Sequence, residues 1–174
     1  MKMPDGGYRP GYNIQMATAG SPLGGPRTIV GVQVTNVGSD MGSISPMLDQ
    51  MERRTGALPK VLLADANHAK HECIERCESR GVEALIPIPT RSRNPGPNAD
   101  QTCAIVAWRA RMKTDRAKQL LRARSSLCEL ANAHLKHHHG MAQVLVRGLQ
   151  KVTCVAMLAA IGANILQHVT ALLA

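Results

Sequence analysis

Two acidic residues stand where a sequence can do phosphoryl or metal chemistry. Asp65 follows the uninterrupted apolar run Val61-Leu62-Leu63-Ala64. A carboxylate fixed at the end of a buried strand can hold a divalent cation with little reorganisation. The same place also suits a turn former or helix N-cap. Glu129 lies in a basic stretch; on a helix Arg122, Glu129 and Lys136 fall seven apart on one face, with Asn132 a turn from Glu129. Such cations keep the acid ionised and can grip phosphates, although a solvated face of ordinary ion pairs reads the same way. His68, His71, Cys73 and Cys77 are near one another, but no second pair has zinc-ligand spacing, and the two thiols read as small core residues. His134, His137, His138 and His139 are able to bind a metal, yet the end of a basic helix near phosphate or solvent is the favoured reading. Trp108, the single Trp, is expected to pack the long helix against a sheet.

The elements that must position these residues follow from periodicity. Tyr12, Ile14 and Met16 alternate with polar or small neighbours, and Val30, Val32 and Val34 share one face of a second strand over Thr28 to Thr35. Residues 20–26 supply the turn chemistry of a long-looped hairpin. Ser45 before Pro46 predicts a helix start, Met47, Leu48 and Met51 its apolar stripe, and Gly56 its end. After the Asp65 strand come a helix from about Ala69 to Arg80 closed by Gly81, and a strand from Ala84 to Ile88. The order β-β-α-β-α-β predicts an α/β fold with a mixed sheet and flanking helices. Pro87, Pro89, Pro95 and Pro97 mark a linker over 89–100. Gln101 to His137 reads as basic helix, Gly140 breaks it, and Gln143 to Ala174 reads as a buried C-terminal helical segment.

The whole chain is 174 residues and 18.7 kDa, about one domain. With 44% hydrophobic and 19% charged residues, neither a disordered nor a collagen-like class fits. Phe is absent and aromatics are 2%, so aliphatic side chains must fill the core. The net charge is +9, a balance that suits a polyanion. Residues 105–174 hold 10 basic and 2 acidic side chains, whereas residues 1–104 hold 11 and 10. Five scattered Cys and the absence of an apolar leader segment predict a reducing, cytoplasmic setting. Asn164, Gln167 and His168 interrupt the apolar stretch 153–174, so no membrane partner is expected.

The ordered runs Met1 to Gln15, Val34 to Asp40, Leu63-Ala64-Asp65, Ala107 to Met112, Glu129 with Asn132-Ala133, and Val146 to Val152 resemble bacterial insertion-sequence transposases of the DDE type. The resemblance implies a ribonuclease-H-like fold in which two Asp and one Glu hold a pair of Mg²⁺ ions for in-line phosphoryl displacement on DNA. Asp65 and Glu129 match the second and third acids and would be catalytic, metal-holding residues. Lys136 matches a DNA-contacting Lys. Arg122 and Arg124 would contact the transposon end, although Ser125 stands where the family has Arg and Arg122 where it has Tyr. Ala66-Asn67-His68 replaces the Gly and aromatic residues usual after the second Asp.

The first catalytic Asp of that family matches no residue here; Asp5 and Asp40 have the character of turn and capping residues. The resemblance therefore predicts an N-terminally truncated transposase, a partial DDE catalytic domain over 1–174. Its sheet and helices would occupy 1–88, and the helical segment carrying Glu129 would occupy 101–174. Weak Mg²⁺ binding, inactivity of the chain alone, and an incomplete, aggregation-prone sheet follow as expectations, with DNA as partner and a homo-oligomer allowed. The alternative is a non-enzymatic DNA-binding remnant that uses the basic C-terminal helices.

Overall fold

The computed structural model describes Gly7 and residues 11–21, 24–89 and 102–173. The expected linker therefore lies outside the described residues beyond Pro89, as do most of residues 1–10. The chain divides into two compact units, Met1–Ser39 with Ser125–Ala174, and Asp40–Arg124.

The first unit is built on a hairpin. Strand β1 (Asn13–Ala19) runs antiparallel to β2 (Thr28–Thr35), from Asn13 opposite Thr35 to Ala17 opposite Gly31. Thr18 then faces Ile29, so Val30 is an extra residue and β2 is bulged. A bulge reverses the alternation of side chains beyond it. This corrects the expected face: Ile29, not Val30, joins Val32 and Val34 in the core. Long helices flank the hairpin; they are α4 (Asp115–His138), within which the division of units falls, and α5 (Leu149–Leu173). Leu135 of α4 and Val152, Ala156, Ala159 and Ala160 of α5 complete the core. Small residues on α5 let it approach the sheet closely. The Tyr12 hydroxyl accepts a hydrogen bond from the Gly148 amide at 2.8 Å just before α5 begins.

Helix α5 also supplies a cap for β2. The side-chain amide of Asn164 donates to the Ile29 carbonyl at 2.9 Å, and its oxygen accepts from the Ile29 amide at 2.8 Å. One side chain thus satisfies both backbone groups of an edge residue, as a neighbouring strand would. His168 pairs with the Thr28 hydroxyl at 2.7 Å. The expectation of a wholly buried C-terminal helix is corrected, because Leu158 is 68% exposed and Ile161, Ile165, Leu166 and Leu172 are exposed with it. By length and composition α5 passes as a membrane span, with 22% of its most apolar window buried. The helix starts at Leu149, later than Gln143, because Gly148 (φ +95°) precedes it.

The second unit holds α1 (Ile44–Thr55), β3 (Val61–Leu63), a 3₁₀ turn (Ala66–His68), α2 (His71–Ser79), β4 (Glu83–Leu85) and α3 (Cys103–Met112). Helix α1 begins two residues earlier than Ser45-Pro46 suggested, with Ser43 as N-cap; its carbonyl accepts from Met47 at 3.2 Å. Pro46 is then in the first turn, where its missing N–H leaves no bond unmade. Strand β3 pairs parallel with β4, Val61 opposite Glu83 and Leu63 opposite Leu85, with α2 as the crossover. At the end of α2, Gly81 (φ +72°) donates to Glu78 and the buried Val82 donates to Cys77, a helix stop that requires a left-handed residue. Strand β4 stops at Leu85, not Ile88, consistent with Pro87 having no N–H to give a ladder.

Leu48, Ile74, Cys77, Val82, Leu85, Ile86, Ile105 and Trp108 are fully buried here. The Trp108 indole donates to the Ile86 carbonyl at 3.0 Å, so it packs beside β4, but from the short helix α3: the single basic helix expected over 101–137 is corrected to α3 and α4, which are interrupted at residues 113–114. The α/β character of the chain is as anticipated. The single mixed sheet is corrected: among the described residues there are two separate two-stranded sheets, one antiparallel and one parallel. No described strand pairs with both β2 and β3, so their ladders never join.

Candidate functional site

Asp65 stands two residues past β3, as the apolar run predicted, and its backbone is extended. Its Oδ1 accepts from the Asn67 amide at 3.0 Å, which caps the 3₁₀ turn. His68 in that turn brings Nε2 to 3.7 Å from the same oxygen, and its Nδ1 lies 3.1 Å from the Ser43 hydroxyl at the start of α1. Ser43 in turn donates to the Asp40 carbonyl at 2.9 Å. The Asp65 side chain is 39% exposed, so solvent reaches a carboxylate already tied on one oxygen. The turn-former reading of Asp65 describes these contacts.

Glu129 is within α4, and the helical register puts position 129 with Lys136 on the face opposite Leu127 and Leu135, which are buried. Asn132 and Lys136 are exposed. Arg122 is exposed and Arg124 half-buried, both in the part of α4 that belongs to the second unit. Asp65 is in that unit too, whereas Glu129 belongs to the first, so neither unit contains both acids. Among the described residues no three His, Cys, Asp or Glu side chains are placed to hold a metal ion.

Residues 90–169 match the family described as the transposase DDE domain. Over that stretch the chain is similar to DDE-type transposases. The matched stretch includes α3, α4 and most of α5, and with them Glu129, Lys136, Arg122 and Arg124; Asp65 precedes it. No curated protein and no solved structure matches the chain.

The charge of the chain is distributed differently from its linear order. The first unit holds 6 Lys and Arg against 2 Asp and Glu, the second 15 against 10. Two cations of the basic C-terminal third are engaged by carboxylates from before residue 104. Arg111 donates to Glu78 at 2.6 and 3.1 Å and to the Ala84 carbonyl at 3.2 Å, and Arg116 forks onto Glu83. Arg116, with Arg111 beyond it, holds the Glu83 carboxyl below its ordinary range. Arg76 and Arg80 do the same to Asp49. These bidentate pairs tie α2 to α1 and α3, and nothing in their sequence spacing foretold them.

The thiols of Cys73 and Cys77 are buried. Burial, with Cys73 beside it, pushes the Cys77 thiol up to about 11, so it stays protonated at neutral pH and is a poor metal ligand. The core reading of these residues is the one the structure shows.

Proposed function

We propose that this chain acts on DNA in transposition, holding duplex through phosphate contacts from α4 and carrying out little strand cleavage by itself. The observation that carries the reading is the family match over 90–169, which spans the helix with Glu129 and Lys136 on one face. Lys136, Arg122 and Arg124 are the phosphate-contacting residues in this reading. Such contacts position a duplex without reading its sequence.

Asp65 and Glu129 are the acids that would hold Mg²⁺ in the family's ribonuclease-H-like arrangement. The residues present fit that pair of ions poorly. Asp65 spends one carboxylate oxygen on capping, an imidazole lies 3.7 Å from that same oxygen, and no group of three ligands is in place among the described residues. Mg²⁺ demands near-octahedral oxygen ligands and gives up its waters reluctantly.

The test pairs binding with nicking. Duplex affinity is expected to survive Asp65→Ala and Glu129→Gln unchanged, and Mg²⁺ is expected to produce no nicking of supercoiled plasmid above a protein-free control. Mg²⁺-dependent nicking abolished by either substitution would overturn the inactivity and show that the two acids share metal. Absence of any duplex affinity at low salt would overturn the reading as a whole.

A further inference from the structure

One end of the second unit gathers cations that no carboxylate takes up. Strands β3 and β4 run parallel, so α1, which leads into β3, and α2, which leads into β4, both finish at the edge where the strands start. The Glu83 amide donates to the Lys60 carbonyl at 2.9 Å across that edge. Arg80, just past α2, donates to Asp49 and, at 2.7 Å, to Glu52 in the last turn of α1. Arg111 from the end of α3 pairs with Glu78 and Glu83, and Arg116 forks onto Glu83. Asp49, Glu52, Glu78 and Glu83 are thus each held by a guanidinium, and Asp115 is held by Lys118.

Arg53, Arg54, Lys60 and Lys113 are left over. All four are exposed, and among the described residues no carboxylate pairs with any of them. Arg53 and Arg54 stand in the last turn of α1, where a cation complements the helix dipole. That turn is already closed by other groups. The Gly56 amide donates to the Glu52 carbonyl and the Thr55 hydroxyl to the Met51 carbonyl, both at 2.9 Å. The opposite edge, past the end of β3, has the other sign, with Asp40, Asp65 and Glu72 beside Lys70.

We propose that the edge with Arg53, Arg54, Lys60 and Lys113 is a further contact surface for the phosphates of a DNA duplex, in addition to α4. The proposal rests on the DNA-binding reading given above. Charge complementarity carries it: paired side chains offer a polyanion little, whereas unpaired cations on one edge release counterions when they meet phosphates. A duplex carries a phosphate about every 3.4 Å of axis on each strand, so a short edge can meet several at once. The two guanidiniums can each fork onto a phosphate, and the two ammonium groups act as point charges. Contacts of this kind hold a duplex without reading its bases.

The affinity of the full chain for a fluorescent duplex is measured by anisotropy across a salt series. The chain is compared with Lys136→Ala and with a triple variant carrying Arg53→Ala, Arg54→Ala and Lys60→Ala. In the triple variant the slope of log affinity against log salt is expected to flatten by about 2.7, the share of three phosphate contacts, and affinity near 0.1 M salt to fall about tenfold or more. A second measurement uses the unsubstituted chain alone. Bound duplex is expected to shield Lys60 and Lys113 from acetylation, read by mass spectrometry, and to leave Lys70 at the opposite edge reactive. A triple-variant slope equal to that of the unsubstituted chain, or acetylation of Lys60 and Lys113 that duplex does not change, would overturn this surface. If Lys136→Ala still weakens binding in that case, the reading of α4 stands. Absence of duplex affinity at low salt in the unsubstituted chain would overturn both.

Discussion

Asp65 and Asn164 show what a single side chain decides in this molecule. Asp65 at the end of an apolar run was legible in the sequence because strand and turn are local. Its acceptance of the Asn67 amide separates capping from charge. Asp65→Asn keeps an acceptor and is expected to leave stability nearly unchanged, whereas Asp65→Ala should cost about 1 kcal/mol in urea unfolding. Equal losses for both would mean that the carboxylate charge, and not the cap, is what the fold uses. Asn164 was read only as a polar interruption, because its partner Ile29 is 135 residues away and no periodicity reports such a distance. Asn164→Ala strips two hydrogen bonds from a strand edge and is expected to cost about 2 kcal/mol by urea unfolding. A loss below about 0.5 kcal/mol would show that water replaces the amide freely.

At the scale of elements, the helices and strands were legible where hydrophobic spacing is strong, and their boundaries were set by features that spacing does not carry. The Val30 bulge turned Ile29 inward, Pro46 entered the first turn of α1, and Pro87 ended β4. The ion pairs between elements were likewise invisible, since they join side chains from 27 to 33 residues apart. They have a measurable pH signature. The Glu83 carboxyl, held below its ordinary 4.5 chiefly by the Arg116 hydrogen bond, binds its proton less readily in the folded state than in the unfolded one. The pair therefore contributes its stability above that ordinary value, and the contribution is lost as pH falls through the lowered folded value. Thermal unfolding followed downward from neutral pH should show the fall, and Glu83→Gln should make that fall shallower. An unchanged profile in the variant would remove the pair from the account. Because Arg116 is largely exposed, the effect is expected to be modest.

For the whole molecule, the basic surplus counted along the chain pointed to a polyanion, but it placed the field wholly in the C-terminal third. The fold spreads the surplus over both units and neutralises Arg111 and Arg116 locally. The exposed apolar face of α5 was also hidden, since an apolar helix reads the same whether one side or all of it is covered. What endures is a chain similar over residues 90–169 to the transposase DDE domain, whose α4 presents Lys136 to solvent on the face of position 129. The most direct test is the affinity of the full chain for a fluorescent duplex, measured by anisotropy across a salt series beside Lys136→Ala. The logarithm of affinity should fall linearly with the logarithm of salt, and Lys136→Ala should weaken binding and flatten that slope by about 0.9, the share of one phosphate contact. Binding that ignores salt, or a Lys136→Ala slope indistinguishable from that of the unsubstituted chain, would contradict the claim that α4 meets DNA through its phosphates.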